Sequence, residues 1–554
     1  MCIRSARIHF LLASLCCLNL NLKAFALTYS STVLQLLKHS SQMNSSTRSS
    51  TMQRHISPLA ASTARTIQTM SSEEPSKNLK VAIIGAGAAG LATARVFSRN
   101  GYRPRIYEAS SSMGGVWNYH AQKDESTSSK SPMYAGLRTN LPRELMQFRE
   151  FPWGNNGLEP SFVTHETVQS YLKDYTDRFD LEALIQYNCR VTQLTMEEDE
   201  NVENSEGKES RKCPISLEWE QQEETNTVIH QKETYDVVCV CNGHYNLPSI
   251  PTIPGLKDHF KGSIRHSKSY DTPLEFQDQV VLCVGGRASG ADLAREISMF
   301  AKQVYLSDST CPIGEGKEGV QYENIVWVPK TKAVEEGSKV VFERDCLNKP
   351  SDVDTIVFCT GYDYEFPFIN EKSNLDLGVQ PGERRVMPLY EQLWHARHTN
   401  LAFVGLPHSV VPFPLFELQA EAIVAQLQNE MEHVRSPNRN KILPDLKKRL
   451  IASEKDADSG GPNTPGRVQD THFLGSHQWA YLVRYAEYAG VWDESLKQYI
   501  QVNEMLYNHS NGQRKAMPPG GVDEYRYNSY IRDDENGSIE VKSFWKEKIG
   551  ISNH

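Results

Sequence analysis

Two glycine-rich turns, each entered from an apolar run, constrain this chain more than any other feature: VAIIGAGAAG at residues 81 to 90 and VVLCVGGRASG at 280 to 290. A dinucleotide pyrophosphate sits on a helix N-terminus, and glycines let the backbone turn sharply and come close to it. Two such turns about two hundred residues apart predict a protein that holds two dinucleotides at once. The first has the fuller context. Val81 to Ile84 is a short buried-strand signal, Gly85, Gly87 and Gly90 fill GxGxxG, and Leu91, Ala94, Val96 and Phe97 recur with helical spacing. A second strand, Arg105 to Tyr107, ends in Glu108, where an acid accepts hydrogen bonds from an adenosine ribose. Strand, turn, helix, strand and acid together predict a βαβ nucleotide unit rather than an ordinary Gly-rich turn.

At 554 residues the chain exceeds one typical hydrophobic core, so two or more packed units are expected. Charge is unevenly spread. Seven Lys or Arg residues and no Asp or Glu precede Glu73, which resembles a targeting leader. Removing those seven cations takes the formal net charge from −9 to −16. Such a body has no electrostatic affinity for nucleic acid or anionic membrane, and its substrate is expected to be small and neutral to cationic. Within the leader, Arg4 and Arg7 precede an apolar stretch from Ile8 to Leu22, then Ala24, Phe25 and Ala26, and a Ser/Thr-rich tail runs to Ser72. The pattern resembles a two-part plastid leader. A mitochondrial presequence, a secretory signal, or a true start at Met43, Met52 or Met70 are the other readings, the last giving a cytoplasmic protein. No run of about 18 apolar residues marks a spanning helix. Of the eleven cysteines three lie in the leader, and the other eight lack zinc or CxxC spacings. Cys239 and Cys241 alternate along an apparent buried strand, as small core side chains do.

Past the first βαβ unit come GGVWNY at 114 to 119 and GLRTNLPRELMQFREFPW at 136 to 153. The second mixes Pro, Arg and aromatics without periodicity, so a segment wrapped over something is expected rather than a regular element, and a bound flavin would explain it. A helix over Thr167 to Arg178 and a small β-meander carrying an acidic loop follow. Strand Val237 to Cys241 ends in Asn242 and Gly243, and Thr355 to Cys359 ends in Thr360 and Gly361. Each is preceded by an aspartate, Asp236 and Asp354. These paired strand-to-glycine turns bracket the second loop, which predicts one domain inserted into another. A helix is expected from Ala420 to Met431. The polar tail after Asn508 is expected to be disordered.

Taken together, GAGAAG, Glu108, GGVW, LRTNLPRE, YDVVCVCNGHY at 235 to 245, FKGSIRHSKSY at 260 to 270, GGRASGAD, FCTGY at 358 to 362 and VVPFPLFELQ at 410 to 419 resemble the flavin-containing monooxygenase family, in its plant and fungal S-oxygenating branch. The pattern FxGxxxHxxxY/F is met by Phe260, Gly262, His266 and Tyr270. Asp271 follows Tyr270 where Baeyer–Villiger relatives typically carry Trp-Pro, which makes ketone oxygenation the runner-up. The resemblance runs from about residue 79 to 508. It implies an α/β fold of two nested dinucleotide-binding (Rossmann-like) domains. The chain then divides into a leader (1–78), the first part of an FAD domain (79–243), an inserted NADPH domain (244–354), the rest of the FAD domain (355–508) and a C-terminal tail (509–554). It further implies FAD reduced by NADPH, a flavin C4a-hydroperoxide formed with O2, and oxygenation of a soft nitrogen or sulfur nucleophile of the N,N-dialkylaniline or thioether kind. No metal is required. An uncoupled NADPH oxidase or flavin reductase shares the nucleotide motifs.

Carried over by the resemblance, Gly85, Ala86, Gly87, Ala88, Ala89 and Gly90 cradle the FAD pyrophosphate. Glu108 takes the ribose, and Gly115, Val116 and Trp117 lie along the cofactor. Thr139 and Asn140 sit near flavin and nicotinamide, with Asn140 the catalytic candidate: a neutral amide donates a hydrogen bond without releasing a proton early. Its alternative role is capping a turn before Pro142. Gly285, Gly286, Arg287, Ala288, Ser289 and Gly290 hold the nicotinamide dinucleotide, with Arg287 in place of the middle glycine. Asp308, at the end of the next strand, stands where an acid selects the 2′-hydroxyl of NADH. The family resemblance favours NADPH, so the two signals disagree. His266 is expected to stay neutral beside Arg265 and Lys268, and to act in packing rather than as a base. Glu417 and Gln419 are expected near the isoalloxazine edge.

Overall fold

The two apolar runs become inner strands of two largely parallel sheets, each with antiparallel pairing at one edge. The computed structural model describes residues 79–121, 131–154, 157–197, 213–222, 227–311, 321–322, 324–346, 350, 352–379, 384–435, 471–516 and 523–545; the leader lies outside them. In the first sheet Val81–Ile84 runs parallel to Arg105–Tyr107 on one side and to Val237–Val240 on the other. Leu401–Phe403 adds in parallel beyond Val237–Val240. Val81 and Ile83 face one hydrophobic cluster with the helix Ala88–Arg99, while Ala82 and Ile84 face another formed with the meander. A strand covered on both faces has no polar side, which is why its sequence reads as an unbroken apolar run.

The second sheet repeats the plan. Val280–Val284 lies between Gln303–Ser307 and Thr355–Phe358, parallel to both, and Ser263–His266 and Ile325–Val328 extend it. Val281 and Cys283 again face one cluster, Leu282 and Val284 another. Every strand of this sheet lies in sequence between Val237–Val240 and Leu401–Phe403, which are neighbours in the first sheet. The architecture is therefore two nested Rossmann-like domains; strand Thr355–Phe358, expected to open the second part of the FAD domain, belongs instead to the second sheet, so the insertion reaches past residue 354.

The two aspartates before those turns have one shared job. Asp236 accepts the Lys80 N–H at 2.7 Å and Asp354 accepts the Val280 N–H at 2.7 Å, so each pins the start of a central strand to its neighbour. The meander is present as Cys189–Met196, Ile215–Gln222 and Val228–Tyr235. The helix expected from Thr167 starts at His165 and ends at Arg178.

Two expectations are corrected. The helix expected from Ala420 begins at Pro412 and runs to Arg435. Pro412 and Pro414 fall in its first turn, where a missing N–H breaks no helical bond. The described residues after Asn508 are ordered, contrary to expectation. Glu494–Ala516 is helical, and Asn528–Asp533 pairs with Ser538–Ser543 in a hairpin. Tyr525, Arg526, Ser529 and Tyr530 are buried there. Their partners lie far back in the chain: Tyr530 N–H donates to Ser161 Oγ at 2.8 Å and Arg526 reaches Asp292 at 2.6 Å. Composition registers the polarity of this tail but not those distant anchors. Among the described residues no helix is long and apolar enough to cross a membrane.

Candidate active site

The first loop is shaped by what a side chain would strike. Gly85 has φ of +103°, and a Cβ there would sit 2.6 Å from the Cys241 carbonyl oxygen, while a Cβ on Gly90 would collide with the Gly85 carbonyl. Gly285 matches it at +107°, with Cys359 O 2.6 Å from its Cβ position, and Gly290 stands to Gly285 as Gly90 does to Gly85. Each loop thus crosses over a strand-to-glycine turn, 241 to 243 or 359 to 361, and opens onto a helix, Ala88–Arg99 or Ala288–Ser298. Gly87 and Arg287 are the two N-caps, with nearly equal φ of −75° and −72°. Arg287 therefore needs no left-handed backbone, so an arginine substitutes there without strain. Its guanidinium lies 5.9 Å from the Phe473 ring centroid. Ala86 is buried completely and Ala88 nearly so, which leaves backbone rather than side chain at the mouth of the first loop.

Gly115, Val116 and Trp117 form one turn of 3-10 helix directly against this loop. The Gly114 N–H donates to Ala86 O at 2.9 Å, and a Cβ on Gly115 would come within 3.0 Å of Gly87 Cα. Gln169, unmarked in the sequence reading, holds the turn: its Nε2 donates to Met113 O at 2.9 Å and Asn118 Oδ1 at 2.7 Å. Only its position on the helix from His165, one residue past the buried Val168, hinted at such a role.

Thr139 is buried, and its backbone and hydroxyl both bind Val163, with N–H to O at 2.8 Å and Val163 N–H to Oγ1 at 3.1 Å. This pairing, two residues before the helix that carries Gln169, fixes the neighbouring Asn140. Asn140 is exposed, and its amide makes no hydrogen bond among the described residues. The turn-capping bond is absent from the same set. Residues 136 to 153 hold the short 3-10 turn Arg143–Leu145 and isolated bridges at Arg138 and between Phe148 and Phe151, with no long helix or strand, as their lack of periodicity predicts.

The FxGxxxHxxxY residues knit the second sheet to its surroundings. Phe260 is buried in a cluster with Leu282 and Phe358. His266 Nδ1 accepts the Lys268 N–H at 3.1 Å, which leaves Nε2–H to donate to Gly361 O at 3.0 Å. Burial, then Lys268 and Arg384, lower its pKa to about 4, so it is neutral; Arg265 is instead paired with Glu275. Tyr270 donates to Glu296 at 2.7 Å, on the second nucleotide helix.

Glu417 and Gln419 are helical and spent on the protein, contrary to the expectation of flavin contact. Glu417 accepts the Arg149 N–H at 3.0 Å, and Gln419 accepts the Gly405 N–H at 2.9 Å while donating to Tyr481 at 3.1 Å. Burial pushes the Glu417 carboxyl up to about 7 against the pull of Arg149. Cys239 and Cys241 are buried free thiols with raised pKa, inert as nucleophiles. Among the described residues no group of three acidic, His or Cys side chains is placed to hold a metal.

Two glycine cradles on nested parallel sheets, each closed by an acid at the end of the next strand, define a two-dinucleotide oxidoreductase. The flavin-binding monooxygenase-like family model matches residues 78–313. The Arabidopsis thaliana flavin-containing monooxygenase FMO GS-OX-like 2 is 35% identical over 389 residues, covering 68% of this chain and 78% of the relative. FMO GS-OX2 from the same plant is 30% identical, covering 83% and 96%. The S-allyl-L-cysteine S-oxygenase of Allium sativum superposes with a TM-score of 0.66 at 31% identity, over 83% of this chain and 96% of that one. Tmm from a Pelagibacter strain, at 20% identity and a TM-score of 0.62, shares the fold. The chain belongs to the flavin-containing monooxygenase family, whose cofactors are FAD and NADPH and whose members act on a small molecule and O2.

Proposed function

We propose that this monooxygenase transfers one oxygen atom from O2 to a soft nucleophile, with thioether sulfur preferred over tertiary amine nitrogen, while the second atom leaves as water and NADPH supplies two electrons. The observation that carries the sulfur preference is the match over 96% of an S-oxygenase from garlic. When bound, FAD supplies the activation of oxygen. The chain's residues do the rest. The glycines of the first loop admit the pyrophosphate, and Glu108 receives the ribose. The Asn140 amide, unspent on other described groups, donates a hydrogen bond to the reacting oxygen without being a proton source at neutral pH. His266, neutral, fixes the Gly361 turn beneath the second cradle rather than moving a proton.

The test is NADPH consumed against oxygenated product for a panel of thioethers, tertiary amines and ketones. Sulfoxide close to one equivalent per NADPH is expected. Lactone or ester from ketones would overturn the reading in favour of Baeyer–Villiger chemistry, and peroxide in place of every product would make the protein an oxidase. Asn140→Ser is expected to keep FAD and divert most NADPH to peroxide, and full coupling in that variant would remove Asn140 from the reaction.

A further inference from the structure

The two nucleotide loops of this chain are copies displaced by two hundred residues, and the copy extends to the acid. In the first, Glu108 Oε2 accepts the Ala86 N–H at 2.8 Å, while Oε1 accepts the Ser110 N–H at 2.8 Å and hydroxyl at 2.7 Å. In the second, Asp308 Oδ2 accepts the Gly286 N–H at 2.8 Å, while Oδ1 accepts the Thr310 N–H at 2.8 Å and hydroxyl at 2.5 Å. The same three donors fix both carboxylates between loop and strand end. Gly286 is tied to this acid as well, since a Cβ there would lie 2.8 Å from Asp308 Cβ and Cγ. An ionised carboxylate offers about four acceptor sites, so with three used one remains for a ligand. At this position in a βαβ unit that ligand is the adenosine ribose, whose 2′-hydroxyl donates to an acid and whose 2′-phosphate is repelled by one.

We infer that Asp308 sets the selectivity of the second site, so that NADH serves this enzyme within tenfold of NADPH. The inference rests on the second loop being the nicotinamide site but not on which atom is oxygenated. Repulsion at the acid is what lowers the phosphorylated form from a strong preference. What keeps it in use is a cation on the same rim: the exposed Arg344 guanidinium donates to Cys311 O at 3.2 Å, three residues past Asp308. A second cation near Asp308 among the described residues, Lys330, is paired with Glu343 at 2.8 Å. Arg287, the loop's own cation, sits at the helix N-cap over Phe473, on the pyrophosphate side of the cradle.

The experiment is equilibrium binding of NAD+ and of NADP+ to the FAD-loaded protein, followed by calorimetry and by the flavin absorbance change, with no oxygenation substrate present. Dissociation constants within tenfold of one another, a difference of less than about 1.4 kcal/mol, are expected for the wild type. Asp308→Asn keeps the acceptor for Gly286 N–H and removes the charge, so it is expected to move the ratio at least fivefold toward NADP+. A wild-type preference for NADP+ above tenfold, or a smaller movement in a variant that retains FAD, would overturn the assignment. The wild-type ratio decides even if the variant does not fold, and binding of neither nucleotide would sink the nicotinamide site itself. Thioether oxygenation is read in a separate assay, so the two conclusions fail separately.

Discussion

Single residues in this molecule are informative when their environment leaves them one role. Gly85 and Gly285 are legible in the sequence because their motif demands a backbone that only glycine adopts freely, and both have strongly positive φ. His266 was legible as neutral, but the larger cause is burial, which sequence does not carry. Two further histidines are buried and neutral for the same reason. His395 donates to Asp376 O at 2.9 Å and lies at about 4; His472 accepts the Val386 N–H at 3.0 Å and lies at about 3. A histidine whose folded pKa falls below its unfolded value leaves the native state with fewer protons at acid pH. Its stabilisation is complete above about pH 6.5 and is lost as pH falls toward the folded value. For His395 that loss is on the order of 2 kcal/mol by pH 5. Between pH 7 and 5 the urea midpoint of His395→Gln is therefore expected to fall less, or rise more, than that of the wild type; the same pH dependence in both would contradict the buried neutral assignment.

At the scale of elements, the helices and strands that carry the nucleotide loops were readable, because their periods of 3.6 and 2 are local properties. Their ends were less so: Pro412 looks like a breaker until its place in a first turn is known. The C-terminal hairpin was missed for a different reason. Its anchor is Arg526, buried among Asp292 at 2.6 Å and Asp523 at 3.0 Å, with Arg295 joining Asp523 at 2.8 Å. Arg532 N–H donates to Glu144 O at 2.7 Å, and Arg138 donates to Phe162 O at 2.7 Å beside the Asn140 segment. The hairpin thus ties that segment to the second nucleotide helix. Arg526→Met leaves Asp292 and Asp523, both partly buried, to Arg295 and is expected to cost about 1 to 3 kcal/mol. Adding Asp523→Asn should return part of it. Chemical denaturation of the single and double variants checks this, and equal loss in both would show that the cluster does not act as a unit.

For the whole molecule, the insertion of one sheet between two neighbouring strands of another makes the two cradles parts of one structure. Strands Val237–Val240 and Leu401–Phe403 meet only if the intervening domain has folded back between them. FAD, bound by the native state alone, is expected to stabilise it by about 4 kcal/mol when present at a thousand times its dissociation constant. A rise in Tm of roughly 5 °C on adding FAD to stripped protein would be the signature. No rise would mean that the native state does not bind FAD.

What the sequence by itself determined is the pair of dinucleotide loops, the strands and helices around them, and through their motifs the family. Each of these follows from spacing within about thirty residues, the reach over which periodicity and glycine placement act. What only the tertiary structure decided is how the polar groups are spent. Asp308 is clasped as Glu108 is, Glu417 is taken by the Arg149 backbone 268 residues away, Gln419 donates to Tyr481 across 62 residues, and Arg526 finds Asp292 across 234. A buried polar group must find a partner, and in a nested fold that partner is set by which strands become neighbours, not by which residues adjoin in the chain.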